Sequence, residues 1–318
     1  MATFQEKLDK VRKGENLSAA SLTFLSDLSS EDRATLRSVW PELPRQARKK
    51  IVAELVTLAE DNIEFHFRHV FLTALEDSDP DVRLSAIEGL YEDESKLLLG
   101  RLIPMLRTDP EPAVREAVAK ALGRFTFLAH CAKLTDQGTL LRATLLESAE
   151  DEDEDEDVRR RSVEALGYFH GDKEVQDLIA ETYQQGGTAA ESAIFAMGRS
   201  MEERWQQTVL DELKSETAAM RFEAARAAGE MELEDALTDL VGMVEEDSDS
   251  EVRLAAVWAL GQIGGKAAAK AITRLLKSQD PAIREAAQEA LQEALFAVDP
   301  LTIPGATSTP TIQAPSNN

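Results

Sequence analysis

The chain of 318 residues holds one cysteine, Cys131. A single thiol excludes an internal disulfide framework and suits a reducing cytoplasm. No stretch approaches the roughly 20 consecutive apolar residues that a membrane-spanning helix needs. Residues 1–12 are amphipathic and charged, without the apolar centre of an export signal. Alternating β-branched runs closed by turn dipeptides such as Asn-Gly are missing, so no strand is expected. Positive charge is scarce: 35 Lys and Arg stand against 59 Asp and Glu, for a net charge of −24. That balance argues against nucleic acid or an anionic membrane as the main partner. It fits a basic partner, or solubility alone.

Motifs that carry chemistry are also missing. There is no Gly-rich phosphate loop, no Gly-x-Ser-x-Gly elbow and no kinase signature, and Gly186-Gly187 only joins two helices. The four histidines are His66, His69, His130 and His170. His66 and His69, three apart, could share a helix face, yet no Cys or Asp completes a metal site there. Cys131 follows Phe125, Phe127, Leu128 and Ala129 and reads as a buried small apolar residue rather than a nucleophile. The sequence therefore calls for no cofactor, no metal and no catalytic residue.

What the chain does contain is a recurring phrase. It reads Asp79-Pro80-Asp81-Val82-Arg83 and returns around Arg115, Arg159, Arg221, Arg253 and Arg284, with a degenerate copy at Ala190. The steps between these positions are 32, 44, 31, 31, 32 and 31 residues. A fixed period of this size means stacked supersecondary units. Asp79, Asp109 and Asp280 each precede a Pro, as an N-cap before a proline at the first helical position does. A helix of small apolar residues follows, with Val252, Ala256, Ala259 and Leu260 on one face. Gly123, Gly167, Gly198, Gly229 and Gly261 fall eight residues after each repeat position and are expected as helix stops. A second, Leu-rich helix completes each unit, expected over 71–75, 97–106, 140–146, 176–183, 209–213, 236–244 and 268–276. No such pair can bury its apolar stripe alone. The fold class is all-α, a right-handed solenoid of stacked antiparallel helix pairs.

The Asp-Pro-x-Val-Arg and Ala-Leu-Gly phrases resemble HEAT repeats, in the short bacterial form often called phycobilisome-lyase-like, over roughly residues 49 to 298. The resemblance implies that the repeat arginine bonds an acid in the turn of its own or a neighbouring repeat. Arg83, Arg115, Arg159, Arg221, Arg253 and Arg284 match that position, and the ladder should break at Ala190. It also brings in phycobilin lyases, which share the repeat, although no motif here carries bilin handling. Deoxyhypusine hydroxylase, an iron enzyme of HEAT repeats marked by paired His-Glu motifs, finds no counterpart, because the chain has no His-Glu dipeptide.

Three regions follow from the period: a helical cap with divergent sequence over 1–48, the repeats over 49–298, and a Pro-, Thr- and Ser-rich tail over 299–318 expected to be disordered. The cap shows helix patterns at Phe4, Leu8 and Val11, at Ser21 to Leu28, and from Ser29 to Trp40. The long 44-residue step holds an acidic insertion near 147–157, whose eight consecutive acids from Glu150 to Asp157 should form a mobile, solvated loop.

Solenoids bind on the concave face, lined by one helix of each repeat. Residues one, five and nine after each repeat position share a stripe. Its ends are acidic, and its middle holds Arg124, Arg160, Arg199 and Arg226 with Tyr168, Phe195, Phe222 and Trp258. Arginine and aromatic residues are the types in which binding energy concentrates. The same rings could instead pack between repeats, with the arginines paired to local acids. The expected function is a cytoplasmic, non-enzymatic scaffold that takes a protein segment in this groove. The alternative is a tetrapyrrole-handling protein of the bilin lyase kind, on family analogy alone.

Overall fold

The structure, a computed structural model, describes residues 3–15, 18–131 and 134–298. The tail over 299–318 lies outside the described residues. Among the described residues there are eighteen α-helices and no strand. They fall into two compact units, one ending at Leu178 and the other beginning at Ile179.

The first unit contains α1 (Phe4–Arg12), α2 (Ala19–Leu22), α3 (Ser30–Val39), α4 (Arg45–Asp61), α5 (Arg68–Ala74), α6 (Pro80–Gly89), α7 (Lys96–Thr108), α8 (Pro112–His130), α9 (Thr135–Glu150) and α10 (Glu156–Leu166). The division falls inside α11 (Lys173–Gln184). The second unit contains α12 (Gly187–Ser200), α13 (Gln206–Glu212), α14 (Ala218–Glu230), α15 (Leu237–Glu246), α16 (Ser250–Ile263), α17 (Gly265–Leu275) and α18 (Pro281–Val298). Odd-numbered helices from α5 onward are the first helix of a pair and even-numbered ones carry the repeat phrase.

The amino-terminal helices begin where the sequence says they should. Thr3 and Glu6 form a reciprocal capping box on α1, and Ser29 caps α3 through the amide of Asp32. Leu8, Val11, Leu22, Leu25 and Leu36 are buried beneath them. Trp40, buried just after α3, donates its indole N–H to Asp77 at 2.7 Å and so ties these helices to the turn before α6.

Asp79 caps α6 by accepting from the Asp81 amide at 3.0 Å, and Pro80 stands at the first helical position. Asp109 departs from the expected role. Glu111 occupies the N-cap of α8, while Asp109, two residues earlier, accepts from the Glu111 amide at 3.0 Å and faces Arg83. A carboxylate at this place shapes its own turn with one oxygen and receives a guanidinium with both.

The resulting ladder runs through the first unit as Arg48–Asp77, Arg83–Asp109 and Arg115–Glu154. Arg83 donates to both oxygens of Asp109 at 2.8 and 2.7 Å, and Arg115 to both oxygens of Glu154 at 2.8 and 2.6 Å. Arg48 meets Asp77 at 2.7 Å. Each arginine also donates to a carbonyl of its own turn: Arg48 to Leu43, Arg83 to Asp77 and Arg115 to Asp109. Arg48 lay in a basic cluster of the sequence and not in the repeat set, yet it is the first rung. Arg159 donates to the Ala149 carbonyl at 3.3 Å. Ala190 offers no guanidinium, and Gln185-Gly186 ahead of it carries no carboxylate. In the second unit Arg221 clamps Asp247 at 2.6 and 2.8 Å, and Arg253 reaches Asp280 at 3.2 Å.

The repeat glycines are not the expected helix stops. Gly123, Gly198, Gly229 and Gly261 lie inside α8, α12, α14 and α16. A Cβ on Gly198 would sit 2.7 Å from the Ala227 Cα, one on Gly229 2.8 Å from the Ala259 Cα, and one on Gly261 2.9 Å from the Ala290 Cα. These glycines let the backbone of one repeat helix lie against the next. Only Gly167 ends its helix, α10, and it does so in the right-handed conformation. In the second unit the chain turns out of the helix three residues later, at Met201, Glu232 and Gly264, all with positive φ.

The long step also differs from its reading. Among the described residues its added length is mostly helical: α8 extends to 19 residues and α9 to 16. The acidic run is divided between the end of α9, a turn over 151–155 and the start of α10. Asp155 caps α10 through the Asp157 amide, and Glu154 is a rung of the ladder. The turn is thus fixed by hydrogen bonds where a mobile loop was expected, because Arg115 supplies the countercharge that eight neighbouring acids lack.

Candidate partner-binding surface

The eight stripe residues fall into two sets, three in the first unit and five in the second. In the first unit Arg124 is committed to the fold. Its guanidinium donates to the carbonyls of Leu90 and Tyr91, just past the end of α6, where exposed carbonyls attract a cation. It lies over Phe125 at 5.0 Å and Tyr91 at 5.7 Å, and burial pulls its pKa below the ordinary arginine value. Arg160 is held on α10 by Asp157 at 2.8 Å and Glu164 at 3.6 Å. Tyr168 stands 5.2 Å from Phe127, ring to ring, and His130 stands 6.0 Å from His170. Phe127 is half exposed and Tyr91 is largely exposed. Neither was singled out in the sequence, although Tyr91 takes the place of the repeat glycine and Phe127 sits in the extra turns of α8 flagged by the long step.

Two other readings change here. Cys131 is exposed and not buried, since it follows the last turn of α8. His66 precedes α5 while His69 lies in its first turn, so the two do not share a helical face. His69 is depressed below the ordinary histidine value by burial and by Arg33, Arg68 and Arg37 nearby.

In the second unit the five residues lie on one stripe, and four of them form two guanidinium–ring pairs. All are half-buried, on the even-numbered helices. The Arg199 guanidinium lies 5.0 Å from the Phe195 ring and meets Glu230 of the next repeat at 3.1 Å. The Arg226 guanidinium lies 4.1 Å from the Trp258 ring, a cation–π contact one repeat long. Trp258 in turn covers Gly229, whose missing side chain leaves room for the indole edge. Burial raises the Glu230 carboxyl above the ordinary glutamate value, opposed by Arg199 and Arg226. Phe222 stands one turn before Arg226. Glu230 belonged to the stripe but was passed over as a site residue; its position four after Arg226 was the signal.

The arrangement offers aromatic faces, guanidinium N–H groups and one disfavoured carboxylate, on helices fixed by backbone contact. Among the described residues, no group of three or more His, Cys, Asp or Glu could hold a metal ion. Nor is any helix there long and apolar enough to cross a membrane.

A family model for HEAT repeats matches residues 68–137, 187–260 and 206–292, together more than half of the chain. The chain belongs to the HEAT-repeat family. No curated protein matches the sequence. Among solved structures, yeast importin-beta (Kap95p) aligns with a TM-score of 0.52 at 13% identity, covering 94% of this chain and 47% of its own. Kap95p solved with RanGDP gives 0.50 at 14%, covering 92% and 46%. Human deoxyhypusine hydroxylase gives 0.37 at 18%, covering 84% and 96%. The chain spans about half the length of the importin-beta chains, and at these identities the likeness shows the HEAT-repeat solenoid fold alone.

Proposed function

We propose that this HEAT-repeat protein is a non-enzymatic scaffold that binds a protein segment on the face formed by the even-numbered helices of its second unit. The observation that carries the reading is the group Phe195, Arg199, Phe222, Arg226 and Trp258. Where the repeat helices of the second unit touch through Gly and Ala, five large side chains stay partly exposed on one stripe. Aromatic and arginine side chains on a rigid support lose little entropy on binding and concentrate affinity. Tyr168, Arg160 and Arg124 hold stripe positions in the first unit, where Arg124 serves the fold as well. Kap95p, which shares this fold, is solved bound to RanGDP, so a stack of this type can hold a protein partner.

The test is affinity capture from the native cell with the wild-type chain against a Phe222→Ala, Arg226→Ala, Trp258→Ala triple variant. Loss of the captured partner from the variant, with unchanged helical content, supports the assignment. Equal recovery by both chains sinks it.

A further inference from the structure

Resting on that reading, we infer that α14, α16 and α18 take an extended peptide in one direction only. A carboxylate side chain sits on Arg226, an apolar side chain on Trp258 and a basic side chain on Glu289.

Arg226, Trp258 and Glu289 hold the same register, five residues after the repeat position, in three successive even-numbered helices. Those helices are neighbours, since Gly229 lies against Ala259 and Gly261 against Ala290. Along this line the surface changes from cation to aromatic ring to carboxylate.

The cation lacks a hydrogen-bonded carboxylate. Among the described residues no hydrogen-bond or ion-pair partner meets Arg226, which stacks on Trp258 and acts on Glu230 only through space. Stacking uses the flat face of a guanidinium and leaves its in-plane N–H donors free, in the fork that matches a carboxylate. Glu230, one turn further along the same helix, is engaged by Arg199. Two guanidiniums thus share one internal carboxylate, and a second must come from outside.

The opposite end carries the opposite charge. Glu285, Glu289 and Glu293 are exposed on one stripe of α18, and none has an ion-pair partner among the described residues. A partner acid is repelled there and a partner base is repelled at Arg226, so the reversed orientation is penalised at both ends. Trp258 between them supplies the apolar centre.

The spacing of the peptide follows. Packed helices stand about 8–10 Å apart, and an extended chain advances about 3.3 Å per residue. One repeat therefore corresponds to about three peptide residues. The segment reads acid, two residues, apolar, two residues, base.

Selection of phage-displayed random heptapeptides on the full-length chain tests this. Wild type should enrich sequences with an acid three residues before an apolar residue and a base three residues after it. The exchange Arg226→Glu with Glu289→Lys should enrich the reversed order. The single variant Glu289→Lys, at an exposed position, should lower enrichment of the terminal base at least tenfold, with circular dichroism unchanged. Enriched sequences that ignore all these substitutions overturn the inference and leave the scaffold reading standing. No enrichment over bare support overturns both.

Discussion

Arginine–carboxylate clamps join repeat turns in both units, but only in the second is the clamp joined by glycine lying on alanine, which draws the repeat helices together further along. The side chains of Arg83 and Asp109 are 8% and 5% exposed; in the second unit those of Arg221 and Asp247 are 17% and 5%, and only Arg253 and Asp280 open to 26% and 36%. The glycine contact runs the other way. A Cβ on Gly123 would sit an ordinary 3.7 Å from the Ala165 Cα, while Gly198, Gly229 and Gly261 leave no room for a methyl group. The same repeat phrase thus serves two packing modes. An arginine clamp tolerates looser helix contact because its reach is long, and a glycine contact needs no charge because the backbones already touch.

Breaking a buried clamp should have the largest effect. Arg83→Met leaves the Asp109 carboxylate buried and uncompensated, with an expected loss of about 3–5 kcal/mol in urea unfolding. Arg253→Met, at the more exposed clamp, should lose about 1 kcal/mol or less. Acid attacks such contacts too. Hydrogen bonds from Arg45, Arg142 and Arg221 hold Asp79, Asp172 and Asp247 below the ordinary 3.8. Carboxyls depressed on folding add stability that is complete above pH 3.8 and lost as pH falls through their folded values. Unfolding midpoints should therefore drop below about pH 4, and Asp247→Asn should flatten part of that dependence.

Glycine substitutions sharpen the contrast through a change of sign. Gly229→Ala drives a methyl group into Trp258 and the Ala259 backbone and should cost about 1–3 kcal/mol. Gly123→Ala meets only ordinary contacts and should gain up to about 1 kcal/mol from helix propensity. Equal effects at the two sites would refute the division. A smaller gain, under about 1 kcal/mol, is expected for Met201→Gly, since Met201 ends α12 at φ 52°. Thermal unfolding of the three variants against wild type reads all of these.

Much of this architecture was legible. The 31-residue period, the Asp79 and Ser29 caps and the Leu-rich first helices give element order and helix limits within a few residues. The break in the ladder at Ala190 was also readable. The role of the glycines was not, because a glycine at the end of an apolar phrase looks the same whether it stops a helix or touches one. Only the partner helix decides, and it lies about thirty residues away. Arg48 escaped notice for a related reason: its turn lacks the Pro-x-Val phrase, yet its acid, Asp77, sits where Asp109 and Asp247 sit in theirs. For the surface, residue type and spacing brought Arg226 and Trp258 together before any coordinates did. That Arg124 is spent on the carbonyls of Leu90 and Tyr91 could not be seen, since backbone acceptors leave no trace in side-chain identity.

Glu154 is one acid in a run of eight, and the clamp to Arg115 uses it alone. The contact is spelled redundantly. If Glu154 is replaced, or if the turn gains or loses a residue, another acid stands next in line to meet the same guanidinium. A rung elsewhere, such as Asp109 between Thr108 and Pro110, has no such spare. Here the chain can drift in length and spelling without losing its stack, which makes this turn the place where insertions between repeats can be absorbed.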